Sequence, residues 1–309
     1  MSTTPPTAAP AGEETTEVAP AQQEAPRGAR DQRRGNWLVR GVLLIICLLW
    51  LFPTVGLLIS SVRPRDEILG SGWWTVLTSP LEVTQWTLQH YQDVLAIGMG
   101  PAFINSFVVA VPSTVIPILA AAFAAYAFSW MRFPGRELLF ILVVMLLVVP
   151  IQVAFVPLMR MYAGLGIQGT FMGVWLAHAA FGMPLAVYLL RNYIGTLPRE
   201  VIESAKVDGA SHFQVFWRLV LPLSVPVLAA FFIFQFLWTW NDLLVAMVFL
   251  EGIDRRVLTV ELVQLIGSRG QDWHLLTAGA FITMMVPLIV FFSLQRFFVR
   301  GMTAGSVKG

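Results

Sequence analysis

Apolar residues fall in six long runs, at 38–60, 103–130, 138–161, 171–190, 221–249 and 275–298, separated by more polar stretches. Each run is long enough to cross a hydrocarbon layer of about 30 Å as a helix. The pattern predicts an all-α, polytopic membrane protein with six transmembrane helices. The first run exceeds the apolar core of a signal peptide, about 7–15 residues, and no small-x-small cleavage pattern follows it, so it reads as an uncleaved first span. Residues 1–36 are mostly Pro, Ala, Thr, Glu and Gln with no apolar period. They predict a disordered cytoplasmic tail ahead of one transmembrane domain at 37–309.

Composition supports lipid as the main solvent. The 309 residues are 57% hydrophobic and 12% charged, against roughly 45–50% and 25% in a soluble domain. A net charge of +2 gives no overall basic excess for nucleic acid. The placement of the cations says more. With both termini inside, the inner segments hold Arg27, Arg30, Arg33, Arg34, Arg40, Arg132, Arg136, Arg191, Arg199, Lys206, Arg218, Arg296, Arg300 and Lys308, leaving Arg63, Arg65, Arg160, Arg255, Arg256 and Arg269 outside. The positive-inside rule selects cytoplasmic termini. Outer segments 61–102 and 250–274 carry Trp73, Trp74, Trp86 and Trp273, placed for headgroup-level rings or a packed cap. The single cysteine, Cys47, excludes an internal disulfide or a Cys-cluster metal site.

The inner segment at 191–220 is the most structured polar stretch. Pro198 suits the start of a helix and Gly209 the left-handed residue after one, which predicts a short helix between them. Ser211 then caps a second helix, in which Phe213, Phe216, Trp217 and Val220 form an apolar stripe leading into Leu221 and Pro222. On the first helix Arg199, Glu200, Glu203, Lys206 and Asp208 make a charged face, with Val201, Ile202 and Ala205 opposite. Such a helix is either a solvated connector or a docking element for a cytoplasmic partner.

Within the spans the costly polar groups are Gln152, between Pro150 and Pro157, His178, Gln235, Asn241 and Asp242. Asp242 reads equally as a carboxylate bonded between helices or as a functional group. His178 fits a satisfied packing histidine better. Gln152 either marks a bend whose freed carbonyls line a cavity or bonds that bend shut. Trp238, Trp240, Asn241 and Asp242 set aromatic faces beside amide and carboxylate groups, the chemistry a sugar pathway needs, and with Gln152 they are the substrate-pathway candidates.

The stretch Glu203-Ser204-Ala205-Lys206-Val207-Asp208-Gly209-Ala210, followed by Leu219-Val220-Leu221-Pro222-Leu223, resembles the EAA loop of permease subunits of bacterial ABC importers. Further segments are similar to the carbohydrate-uptake, MalG-like branch: Trp86 to Tyr91, Asn105-Ser106, Ala125 to Phe128 with Met131 to Arg136, Trp240-Asn241-Asp242, and the ending Thr303 to Gly309. Ser204 departs from the usual Ala. The resemblance implies the ABC importer permease fold and alternating access for a sugar. Glu203, Ser204, Ala205, Asp208, Gly209, Leu221 and Pro222 would then engage a separate ATPase dimer. It also implies a second, MalF-like permease, an extracellular sugar-binding protein above, and residence in the cytoplasmic membrane of a prokaryote. ATP and magnesium would sit on the ATPase, and this chain is expected to bind no cofactor. Its lysines, Lys206 and Lys308, precede Val207 and Gly309, so it contains no phosphate-loop lysine followed by Ser or Thr. Ser71 to Trp74 and Gly267 to His274 look similar to the α-glucoside subgroup.

The rival classes are weaker. A proton-coupled carrier built on Asp242 and His178 lacks a second, inverted half. An intramembrane hydrolase lacks both G-x-S-x-G and His-Glu-x-x-His, and His90, His178, His212 and His274 lie in four separate segments, which also leaves no expected metal site. A scaffold would not require the charged inner helix and Gly209.

Overall fold

A computed structural model describes residues 29–78, 80, 82, 86–268 and 272–303. Residues 1–28 of the tail predicted at 1–36, and the ending at 304–309, lie outside them, as does Arg269, whereas residues 29–36, expected in that tail, are helical. The described chain is helical, with one isolated bridge between Gly169 and Leu250. In order, the helices are α1 (Ala29–Ser61), α2 (Arg65–Gly70), α3 (Gln89–Val94), α4 (Gly100–Trp130), α5 (Arg136–Met145), α6 (Phe155–Leu165) and α7 (Phe171–Ile194). There follow α8 (Arg199–Val207), α9 (His212–Val215), α10 (Leu221–Leu223), α11 (Val225–Trp240), α12 (Leu244–Phe249), α13 (Leu258–Ser268) and α14 (Trp273–Thr303). Among the described residues four helices are long and apolar enough to span a membrane, and the number reaches six when each of two bent pairs is taken as one span.

Contacts divide the chain into units at 1–54 and 55–309, and α1 runs through the boundary. Its apolar side chains, Leu44, Ile45, Leu48 and Leu49 among them, are exposed, as is Cys47. A helix apolar all round belongs in hydrocarbon.

The spans differ from their sequence outlines where prolines act. The third run is not one straight helix: α5 and its continuation to Val148 meet the segment Ile151–Leu165 at 100°. Val149 is extended, as a residue before proline must be, and Pro150 turns the chain. The fifth run, expected as one helix over 221–249, is three. His212–Leu223 meets α11 at 72° across Ser224, and α11 ends at Asn241 before α12 begins. The second span starts earlier than its run, because α3 joins α4 through a wide turn at Leu95–Met99.

In the larger unit α4 and α7 form the most extensive helix pair. Buried Ala121 and Ala125 on α4, and Gly173, Ala177, Gly182 and Ala186 on α7, give both helices small residues four apart, which lets backbones approach closely in lipid. Packed around this pair are a cytoplasmic-end core with Leu190, Ile202, Phe216 and Phe231, a second core with Trp240, Leu258 and Val286, and an outer-end core with Phe155, Tyr162 and Phe249.

Prolines inside these helices also free backbone carbonyls. Each removes the N–H that would bond the carbonyl four residues earlier, and lipid supplies no replacement donor. Pro112 frees Val108, and the Trp175 indole donates to that carbonyl at 2.7 Å. Pro117 frees Ser113, which accepts from the Gln235 amide at 3.3 Å. Pro287 frees Thr283, which accepts from the Trp240 indole at 2.9 Å. Gln235 fits because residue 182 is glycine: a Cβ there would lie 2.5 Å from Gln235 Oε1. Three interhelical side chains thus complete ladders broken in neighbouring helices.

Trp175→Phe keeps the ring and removes the donor, so it should destabilise the folded chain by ~1–3 kcal/mol. Pro112→Ala restores the missing N–H and should relieve most of that loss. Thermal unfolding of the two single variants and the double variant in detergent checks the coupling.

Candidate functional site

Two regions gather the sequence-predicted residues: the inner loop and the break at the outer end of α11.

The inner loop is built as its residue types dictate. Pro198 precedes α8, and Asp208 ends it with its N–H on Ser204 O. Gly209 takes φ +82°, its N–H bonding Lys206 O while Ala210 N–H reaches back to Ala205 O. This paired closure requires a left-handed residue, and glycine adopts that conformation at least cost. Ser211 then caps α9 in a reciprocal box with Gln214. Tyr126 Oη and His212 Nδ1 lie 2.9 Å apart, tying the loop to α4.

Buried Ile202 anchors α8 in the cytoplasmic-end core. Val201, expected beside it, is partly exposed instead. Arg199, Glu200, Glu203, Ser204, Lys206 and Asp208 all face outward. Val207 is 87% exposed at the tip, beside Gly209. The expected stripe on the second helix divides: Phe216 and Val220 are buried, whereas Phe213 and Trp217 stay exposed. A wide turn at Phe216–Val220 changes the angular step and parts the two pairs. Leu221 is half-buried and Pro222 exposed, just before the 72° bend. Together they make an anchored helix with an apolar tip projecting from a charged face.

At the other region Asp242 closes the break in the fifth run. Its Oδ2 accepts the Ala246 N–H at 3.0 Å and so starts α12, while its backbone carbonyl accepts from Thr259 at 2.7 Å. His178 Nε2 lies 3.7 Å from the same Oδ2. The His178 ring is fully buried, and neither of its nitrogens nor Thr239 Oγ1 has a hydrogen-bond partner among the described residues. Trp238 meets His178 edge-on at 5.3 Å. Ser106, His178, Thr239 and Asp242 share a cavity of about 10 Å³. That is room for about one water and far too little for a sugar ring.

Of the remaining pathway candidates, Trp240 also lines that cavity. Trp240 is buried against Phe103, Phe107 and Phe236 as well as bonding Thr283, so it serves packing in this conformation. Asn241 is exposed and its amide donates to Leu237 O at the end of α11. Gln152 is exposed at the elbow between α5 and α6. Trp175 and Thr239 were missed at the sequence level. The offset of four between Pro112 and Val108 pointed to a needed donor, but nothing along the chain named Trp175 as its source.

The outer segment at 250–257 is pinned by its backbone. Asn105 donates to Asp254 O and Arg256 O at 2.8 and 2.9 Å, and Arg255 donates to Gly169 O at 2.8 Å. Arg256 pairs with Glu261 at 3.5 Å. Ile253 is left 78% exposed at the tip.

Bent spans around a close helix pair, a pinned outer loop and an anchored inner helix with a projecting tip define a multi-pass membrane transport subunit. The chain belongs to the family described as "binding-protein-dependent transport system inner membrane component", whose model matches residues 103–304. It is accordingly a permease subunit of an ABC importer in the cytoplasmic membrane. It is 63% identical to the osmoprotective compounds uptake permease protein GgtD of Synechocystis sp., over 86% of this chain and 90% of that one. It is 46% identical to the alpha-glucoside transport system permease protein AglG of Rhizobium meliloti, over 89% of this chain and 97% of the relative. A solved bacterial ABC transporter involved in import of the acidic polysaccharide alginate shares the fold, with TM-score 0.69, 21% identity, and 88% and 99% of the two chains covered.

The buried cluster leads to a specific outcome. Asp242→Asn keeps one carbonyl oxygen to accept the Ala246 N–H, so folding and uptake should persist. Asp242→Leu removes the acceptor and should cost about 1 kcal/mol of stability. Uptake by the wild-type complex in vesicles, measured with and without a protonophore at fixed ATP, should be the same.

Proposed function

We propose that this permease imports an α-glucoside or a related small sugar-containing solute, driven by a separate ATPase pair that engages α8 and Gly209. The observation that carries the coupling part is the inner loop's geometry: buried Ile202 holds the helix rigidly while Val207 and Glu203 project into the cytoplasm. Movement imposed on such a tip passes to the α9–α11 bend instead of being absorbed by a flexible connector. The substrate part is supported by the likeness to AglG and GgtD, and by the 30% identical arabinooligosaccharides transport system permease protein AraQ of Bacillus subtilis.

In this reading ATP and magnesium are bound by the ATPase, a second, MalF-like permease completes the pathway, and a binding protein delivers the substrate. Its receiving surface includes the outer loop around Ile253 and the long segment at 61–102. A solved alginate transporter in complex with a pentasaccharide-bound periplasmic protein shares this chain's fold at TM-score 0.58, consistent with that arrangement. The 10 Å³ cavity leaves no room for a sugar beside Asp242, so contact there needs another conformation of the α11 break.

Two experiments test the proposal. Gly209→Val strains the left-handed turn, whereas Gly209→Asn adopts it readily, and the space around residue 209 is open. Both should insert; uptake of radiolabelled α-glucosides should fall sharply for Val and survive for Asn. Equal uptake by all three proteins would reduce the loop to a connector. For the outer surface, Ile253→Asp should weaken delivery by the binding protein, read as a raised half-saturating concentration of loaded binding protein. Arg255 and Arg256 are poor probes because both hold the loop's own structure.

A further inference from the structure

We propose that the cleft between the cytoplasmic end of α4 and α8 is a binding site for the phosphate headgroup of an anionic phospholipid. The cleft has a volume of about 340 Å³, and Arg132, Arg136, Arg199 and Lys206 line it with one carboxylate, Glu203. Arg136 is already engaged, by Glu137 at 2.7 Å and by Met131 O at 3.2 Å. Glu137 is in turn held by Arg191 at 3.3 Å. The side chains of Arg132, Arg199 and Lys206 make no hydrogen bond or ion pair among the described residues. Three unpaired cations against Glu203 leave a local charge of +2, matched to a phosphate diester and its neighbouring lipid.

The walls are fixed rather than loose. The Trp130 indole donates to Ile194 O at 3.1 Å and the Ser129 hydroxyl to Arg191 O at 3.3 Å, so the ends of α4 and α7 are tied where the chain leaves for α8. Buried Ile202 holds α8 at a set height beside them.

Continuity with lipid favours a lipid phosphate over a soluble one. A second depression, of about 480 Å³, shares Arg132 and Arg136 with the cleft and includes Phe133 and Leu138. It opens toward α5, where Leu138, Leu139, Ile141 and Leu142 are all exposed. A headgroup in the cleft thus has an apolar wall for its acyl chains. Basic pockets on the cytoplasmic side of membrane proteins meet the leaflet that carries anionic lipid. Because Arg132 follows α4 while Arg199 and Lys206 ride on α8, the headgroup would tie the inner helix to the membrane surface. The inference rests on membrane orientation and not on the coupling role of Gly209.

The test uses the intact transporter complex in mild detergent, exchanged into phosphatidylcholine containing a minor fraction of phosphatidylglycerol. Native mass spectrometry counts the retained lipids. Wild type should retain phosphatidylglycerol over phosphatidylcholine, millimolar inorganic phosphate should not displace it, and Arg132→Gln/Arg199→Gln should lower the preference about thirtyfold. Arg132→Lys/Arg199→Lys should keep most of it. Equal retention by wild type and the Gln variant overturns the site, and so does equal loss in the Lys and Gln variants, because cationic charge is then not what holds the lipid. Displacement by phosphate makes it a soluble-anion site. Loss of the ATPase subunits from the Gln variant with phosphatidylglycerol still held assigns the cations to an acidic protein surface.

Discussion

In a hydrocarbon environment a backbone carbonyl that a proline frees is stabilised by a donor inside the protein. Val108, Ser113 and Thr283 find theirs in Trp175, Gln235 and Trp240, each on another helix. The constraint explains why polar and aromatic groups sit at these positions and why Gly182 must lack a side chain. It also orders the assembly: α7 donates to α4, and α11 donates to both α4 and α14. Prolines that bend or weaken single helices become the points where helices are joined. The Gln235 amide nitrogen, costly by itself in lipid, is satisfied because Pro117 freed the Ser113 carbonyl, while its Oε1 has no partner among the described residues.

Held in this way, the bundle leaves its free surfaces at two ends. On the cytoplasmic side α8 is anchored through Ile202 and Tyr126–His212, with Val207 outermost. On the outer side Asn105 and Arg255 grip the loop backbone, with Ile253 outermost. Between them lies α11, bent at Ser224 and interrupted at Asn241–Leu243. Asp242 satisfies the restart of α12 at that interruption. A helix with a break at each end can transmit displacement of the inner loop without unfolding its middle, which is the mechanical requirement of alternating access.

Much of this was legible along the chain. Pro198, Gly209 and Ser211 act through local rules, and the structure realises each of them; four of the six apolar runs are likewise realised as continuous spans. The bend at Pro150 followed from the same rules but its 100° size did not, because packing decides how far a proline turn opens. The fifth run misled because apolarity is continuous from 221 to 249, whereas Ser224 and Asp242 break the backbone inside it. Trp240 looked like a pathway residue by its neighbours in sequence; its indole direction depends on Thr283, which is distant in sequence. The division of Phe213 and Trp217 from Phe216 and Val220 required the wide turn, which no spacing rule contains.

The central proposal is that α8 is the contact through which ATP hydrolysis moves this permease. Cys47 is the sole cysteine, so Cys47→Ser with Val207→Cys places one thiol at the tip of the inner loop. Cross-linking that thiol with a short thiol-to-amine reagent in native membranes measures the contact directly. The account predicts one dominant adduct with an ATP-binding subunit, its yield changing when a non-hydrolysable ATP analogue is added. An intact, transport-competent variant that gives no such adduct, while a thiol placed at Ile253 on the outer loop does, would contradict it.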